Sequence, residues 1–299
     1  MTDSLTNGLI LALAVFMGCA YYVAMKPVNM RVGHESHIPL FNALFSAAAF
    51  LLLAVYSAAA KKGLYLPPAG IAAAAGYGVV ATLAVFAHMK ALERGPVSLT
   101  SLFAKFCLVL PLGYSFLFLH EQATLFRVSG ILLICVCIVI FADPRKGDRE
   151  RLSRGWLPAA LALMVCNGTV QLIGKIYAMS SGNAWQNAFL LWAFGFETLA
   201  ALAIFLCLSR GKSAGRVREF VTPAVLGLSA FIAAAALSMN FAIVALAVRM
   251  DGSVFFPVYS GGPLILIALA GCVIFKEEMT FKKAAGILLG IAAIVLLNL

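Results

Sequence analysis

From Gly8 to Met25 the chain runs GLILALAVFMGCAYYVAM, eighteen residues without a charge, and nine further apolar stretches follow before Leu299. A hydrocarbon core about 30 Å thick takes roughly 20 apolar residues to cross as a helix, because without water every backbone amide must find its partner inside its own segment. On that criterion ten spans are predicted, at approximately 8–25, 39–60, 69–91, 97–119, 123–142, 156–179, 184–208, 220–248, 253–275 and 281–298. The third, sixth and eighth are diluted by polar residues. The pattern predicts an all-α integral membrane protein with ten transmembrane helices and no separate soluble domain.

Composition supports this reading. With 63% hydrophobic and 11% charged residues, and a mean hydropathy of +1.00, the chain has too little polar surface to clothe a soluble globule. The net charge of +10 does not point to nucleic acid, because the basic residues sit in short inter-helix loops, where a membrane protein carries its orientation signal. One set of loops holds Lys26, Arg31, Lys90, Arg94, Arg145, Lys146, Arg149, Arg151, Arg154, Arg210, Lys212, Arg216, Arg218, Lys276, Lys282 and Lys283, sixteen in all. The opposite set holds four, Lys61, Lys62, Arg127 and Arg249. The basic side is expected in the cytoplasm, which leaves both termini outside it, in a bacterial-type inner membrane.

All seven cysteines fall inside predicted spans, and they read as buried thiols rather than a disulfide framework or metal site. The opening MTDSLTN carries no basic region, so a cleaved signal is not expected. The sequence shows no phosphate-cradling glycine loop, metal cluster or Ser/His/Asp set. No catalytic residue, metal or cofactor is assigned, and an enzyme is not expected.

The chain repeats itself. His120–Ile134, HEQATLFRVSGILLI, aligns with Lys276–Gly290, KEEMTFKKAAGILLG, at a constant shift of 156. Glu121 meets Glu277, Thr124 meets Thr280, Arg127 meets Lys283, and Gly130-Ile131-Leu132-Leu133 meets Gly286-Ile287-Leu288-Leu289. Weaker echoes relate Lys26 to Lys175 and Phe41-Asn42-Ala43 to Gln186-Asn187-Ala188. The expected organisation is a first five-helix repeat over 1–145, a basic linker over 146–155, and a second repeat over 156–299. Five is odd, so the second copy enters the membrane from the opposite side, as in many secondary transporters.

These features resemble the drug/metabolite transporter superfamily in its ten-helix EamA-type form. The resemblance rests on the ten spans, the five-plus-five duplication, and the paired segments Pro111…Glu121…Gly130-Ile131 and Pro263…Glu277…Gly286-Ile287. It implies a gradient-driven carrier of small organic solutes, with a central cavity lined by spans one, three, four, six, eight and nine. The sequence departs from the four-helix multidrug relatives in having no glutamate between Gly8 and Met25. The resemblance also places Glu197, in span seven, peripherally.

Polar residues inside the spans supply the candidate site. An ionisable group at bilayer depth costs about 2.5–3.5 kcal/mol on insertion scales, so each such residue needs a partner, a wet cavity or a route to the headgroups. Asn167, Gln171 and Lys175, spaced i, i+4, i+8, form one stripe on span six, with Gly168 and Gly174 allowing close approach. Span one repeats the spacing with Gly18, Tyr22 and Lys26. Both lysines could equally snorkel from a helix end. Lys105 lies about a third of the way along span four and would hold a substrate carboxylate or phosphate, or pair with Glu197. Tyr77 and His88 share roughly one face of span three. Asn240 in span eight, and Tyr259 and Ser260 in span nine, complete the set. Pro257, Gly261, Gly262 and Pro263 are expected to interrupt span nine and make a hinge.

The expected function is alternating-access transport of a small organic metabolite, an amino acid or related carboxylate, outward across the lipid bilayer. The alternatives are a drug or amine exporter, which wants an acid in the cavity, and an intramembrane enzyme or lipid-handling scaffold, which wants a convergent acid/base set. Nothing in the sequence fixes the oligomeric state; a monomer suffices.

Overall fold

The computed structural model describes residues 2–29, 31–34, 36–94, 100, 103–121, 123–142, 155–181, 185–209, 214–246, 248–273 and 281–297. The long apolar runs fold as helices: α1 (Thr2–Asn29), α2 (His37–Ala59) and α3 (Pro68–Arg94), then a 3-10 turn at Phe106–Leu108 that leads into α4 (Val109–Phe118), and α5 (Leu125–Ala142). The second half holds α6 (Trp156–Ser181), α7 (Gln186–Ser209), the short α8 (Ala214–Phe220), α9 (Pro223–Leu246), α10 (Gly252–Val273) and α11 (Phe281–Leu297). No strand occurs among the described residues.

Six of these, α1, α2, α3, α6, α7 and α9, are long and apolar enough to cross a membrane. Large apolar side chains such as Leu51, Val55, Leu132 and Leu199 are fully exposed around the bundle, each more than 60%. Such a belt would be untenable against water and is what lipid requires. The interior divides into two apolar clusters. One joins α2, α3, α6, α7 and α9 around Phe45, Phe189, Phe194 and Ile232. The other joins α1, α4, α5, α9, α10 and α11 around Leu112, Ile134, Phe255 and Phe256.

Several of the helix pairings correspond between the two parts of the chain. α3 packs on α6 and α1 on α9; α3 also packs on α7, and α9 on α2; α4 packs on α6, and α10 on α1. α2 meets α7, α5 meets α11 and α4 meets α10 across the middle. Each of these pairings maps onto another, or onto itself, when α1 to α5 are matched in order with α6, α7, α9, α10 and α11, whereas the packing of α10 on α5 and α11, and of α9 on α6, has no counterpart of similar extent among the described residues.

Two boundaries differ from the sequence reading. Span eight starts three residues later than read, since Pro223 has no amide proton to continue a helix from Phe220 and instead opens α9, with the short α8 preceding it. Span nine is not interrupted: α10 runs unbroken through Pro257 and Pro263. Its glycines admit neighbours rather than a break, Gly261 against Ile134 and Gly262 against Val15, while Pro263 lodges against Gly18 of α1. The expected hinge at Pro257, Gly261, Gly262 and Pro263 is therefore a packed segment in this structure. Close approach also fixes the cavity walls. A methyl group at Gly78 would lie 2.5 Å from the Glu197 nitrogen, so α3 and α7 touch backbone to backbone there. At Gly168 it would lie 2.7 Å from the Cys107 carbonyl oxygen, which seats α6 on the 3-10 turn.

Candidate solute cavity and the closed end of the bundle

A cavity of about 190 Å³ lies among α1, α2, α3, the start of the fourth span, α6, α7, α9 and α10. Its polar lining comes from Tyr21, Tyr77, Lys105, Cys107, Asn167, Gln171, Glu197, Asn240, Tyr259 and Ser260, and its apolar lining includes Phe45, Val85, Phe194 and Met239. Of the residues singled out in the sequence, Lys105, Tyr77, Asn167, Gln171, Asn240, Tyr259 and Ser260 all line this one space. Helix periodicity explains Asn167 and Gln171, one turn apart on α6. The rest converge from separate elements.

The polar groups are held from behind. Tyr77 Oη donates to Asn240 Oδ1, tying α3 to α9, while Asn240 Nδ2 donates to the Ala236 carbonyl at 2.8 Å. Gln171 Nε2 donates to Cys107 Sγ at 3.1 Å, which leaves Gln171 Oε1 buried without a partner among the described residues; Ser260 Oγ is likewise unpartnered. Lys105 is 7% exposed and Glu197 3%. These two are the charged side chains of the described lining. The Glu197 carbonyl accepts a hydrogen bond from Thr82 Oγ1 at 3.2 Å, but its carboxylate has no hydrogen-bond or ion-pair partner among the described residues. The alternative pairing of Lys105 with Glu197 is thus not formed. The peripheral placing of Glu197 is corrected as well, since α7 carries it into the cavity wall.

Lys175 requires a second correction. It points away from the cavity into a polar cluster at the end of the bundle carrying the loop between α4 and α5. Its Nζ lies 3.1 Å from Glu121 Oε1, donates to Ser115 Oγ at 2.6 Å, and stands 5.5 Å above the Phe256 ring. Only 1% of its side chain is exposed, so it does not snorkel. Glu121 also caps α10 from outside that helix: Oε1 accepts the Gly252 N–H and Oε2 the Ser253 N–H, each at 2.9 Å. A helix N-terminus offers unpaired amides and a partial positive charge, so a carboxylate there satisfies both. Burial pushes the Glu121 carboxyl up, but the two amides and the Lys175 ammonium outweigh it and hold the group below its ordinary value. Beside it Arg127 pairs with Asp251 at 2.7 Å. Residues of the first half thereby clasp the start of α10.

His88 is half-buried and is not among the lining residues. The Tyr22 and Lys26 side chains lie outside the described residues, as do Glu277 and the linker 146–154; the neighbouring Tyr21 is the lining residue on α1. Sequence reasoning missed Tyr21, Met239 and the position of Glu197. The repetition of Glu121 as Glu277 was the available sign that Glu121 is structural, but its partners lie 54 and more residues away.

The fold and the site define a multi-pass helical membrane protein with a small, partly polar cavity among its helices. Residues 6–142 match the model of the EamA-like transporter family. The members of that family are transporters rather than enzymes. A solved structure titled "Crystal structure of protein" shares the fold, with a TM-score of 0.74 at 17% identity, covering 97% of this chain and 96% of that one. No curated protein matches the chain.

Proposed function

We propose that the chain carries a small organic carboxylate, of the amino-acid class, outward across a bacterial-type inner membrane by alternating access of two inverted five-helix halves, 1–145 and 156–299. The observation that carries this reading is Lys105: a lysine 7% exposed, at membrane depth, in the wall of a cavity it shares with Asn167, Gln171 and Asn240. An ammonium in that wall suits the charge of a solute carboxylate.

The size of the cavity favours a metabolite over a drug. Pockets for drug-sized ligands run to about 300–1,000 Å³, and 190 Å³ is below that range. Two features bear on alternating access. The corresponding helix pairings suit two halves that can exchange conformations. The Glu121–Lys175 cluster ties the loop between α4 and α5 to α6 and to the start of α10, a contact that such an exchange would have to break.

Lys105→Met keeps side-chain length and removes the charge. Uptake of labelled amino acids into inverted vesicles should fall by tenfold or more in this variant, with the melting temperature retained. Undiminished transport of every solute that the unmodified protein carries removes Lys105 from the site. The amine-exporter reading gains one observation, the carboxylate of Glu197 in the same wall.

A further inference from the structure

Two charges of opposite sign in one small cavity call for different chemistry from either alone. Structural acids inside membranes are paired, and Glu121 shows how this chain does it, with an ammonium and two backbone amides. Glu197 is treated otherwise. It is 3% exposed, it faces the cavity from α7, and its carboxylate has no hydrogen-bond or ion-pair partner among the described residues. Its backbone is locked, by Thr82 on its carbonyl and by the bare Gly78 against its nitrogen, so the side chain is aimed rather than loose. An ionised carboxylate in such a wall needs a counter-cation.

We infer that Glu197 is the cation-binding pole of the cavity, and that with Lys105 it selects solutes carrying an ammonium and a carboxylate on one small skeleton. An ammonium brings three N–H donors and needs three acceptors. The same wall offers the Glu197 carboxylate as an acceptor, with Gln171 and Ser260 also among its lining residues. Lys105, which has no acceptor to offer, takes the other end of the solute. Phe45 and Phe194 leave an apolar surface for a hydrophobic side chain. Glu197 is on this account a specificity-determining residue, and the inference rests on the carboxylate-carrier reading above.

The test uses matched solutes and the purified full chain in detergent. Leucine is compared with 4-methylpentanoate, which lacks the ammonium, and phenylalanine with 3-phenylpropanoate, each by calorimetric titration. For the unmodified protein at least one amino acid should bind tenfold or more tightly than its matched acid. In Glu197→Gln that ratio should fall to about one while affinity for the acid is kept, which also shows that the site is intact. Glu197→Asp should restore part of the ratio. An unchanged ratio in Glu197→Gln overturns the inference, as does an unmodified protein that binds acid and amino acid equally; in both cases the carboxylate reading survives. An unmodified protein that binds neither member of either pair overturns both.

Discussion

The Lys175 ammonium lies 3.1 Å from Glu121 Oε1, and the same carboxylate accepts both opening amides of α10. One acid therefore joins α6 to the start of α10 through the loop between α4 and α5. The two partners are not equivalent. Without Lys175, Glu121 still has the helix terminus to neutralise it, whereas without Glu121 the ammonium keeps Ser115 and the Phe256 ring as its partners among the described residues.

Loss of the acid should therefore cost more than loss of the base. Removing one partner of a buried pair costs about 3–5 kcal/mol, so Glu121→Gln should fall in that range, while Lys175→Met should cost less. Joining both changes should recover part of the loss from Glu121→Gln alone. Thermal unfolding in detergent measures the order, and a Lys175→Met variant less stable than Glu121→Gln would contradict it.

The same carboxylate sets an acid dependence. Its folded value lies below the ordinary 4.5, with burial opposed by the amides of Ser253 and Gly252 and by Lys175. Its contribution is fully present above that ordinary value and is lost as pH falls through the lower folded value. Between pH 6 and pH 3 the melting temperature should drop more in the unmodified protein than in Glu121→Gln. Equal slopes for the two proteins would show that Glu121 is not the titrating group.

Contact between α3 and α7 depends on a missing side chain. A methyl group at Gly78 would lie 2.5 Å from the Glu197 nitrogen and 2.6 Å from the Ala193 carbonyl oxygen, and backbone atoms in a packed pair of helices cannot step aside cheaply. Gly78→Ala should destabilise by about 1–3 kcal/mol through overpacking. Solute affinity should weaken with it, because the displaced segment carries Glu197. Gly76→Ala, where a Cβ meets nothing within 4 Å, is the control and should be neutral. A Gly78→Ala protein as stable as this control would disprove the close approach.

Charge distribution predicts the topology. With sixteen basic residues on one side and four on the other, both termini should lie outside the cytoplasm. A C-terminal alkaline phosphatase fusion should be active and a C-terminal fluorescent-protein fusion dark. The reverse result would refute this orientation.

Much of the site could be read before the structure, for reasons that differ by residue. Asn167 and Gln171 sit one helical turn apart, so periodicity alone puts them on one face, and both line the cavity. The same periodicity extended that stripe one turn too far. Lys175 continues it in sequence, yet the ammonium turns into the Glu121 cluster. Proline content likewise predicted a break in α10 that packing against α1 and α5 prevents.

The sequence by itself determined the apolar helices, the duplication and the polarity of the loops, because each is written in short-range order: runs of about twenty residues, a fixed shift of 156, and charge within a loop. Tertiary structure alone decided which buried charges are paired and which face the cavity. Glu121, in the loop between α4 and α5, and Glu197, within α7, are both largely buried acids, indistinguishable by residue type. One meets amides 131 and 132 residues away; the other faces the cavity, its carboxylate without such a partner among the described residues. Long-range packing sets the electrostatic environment of a side chain, and no local pattern carries that information.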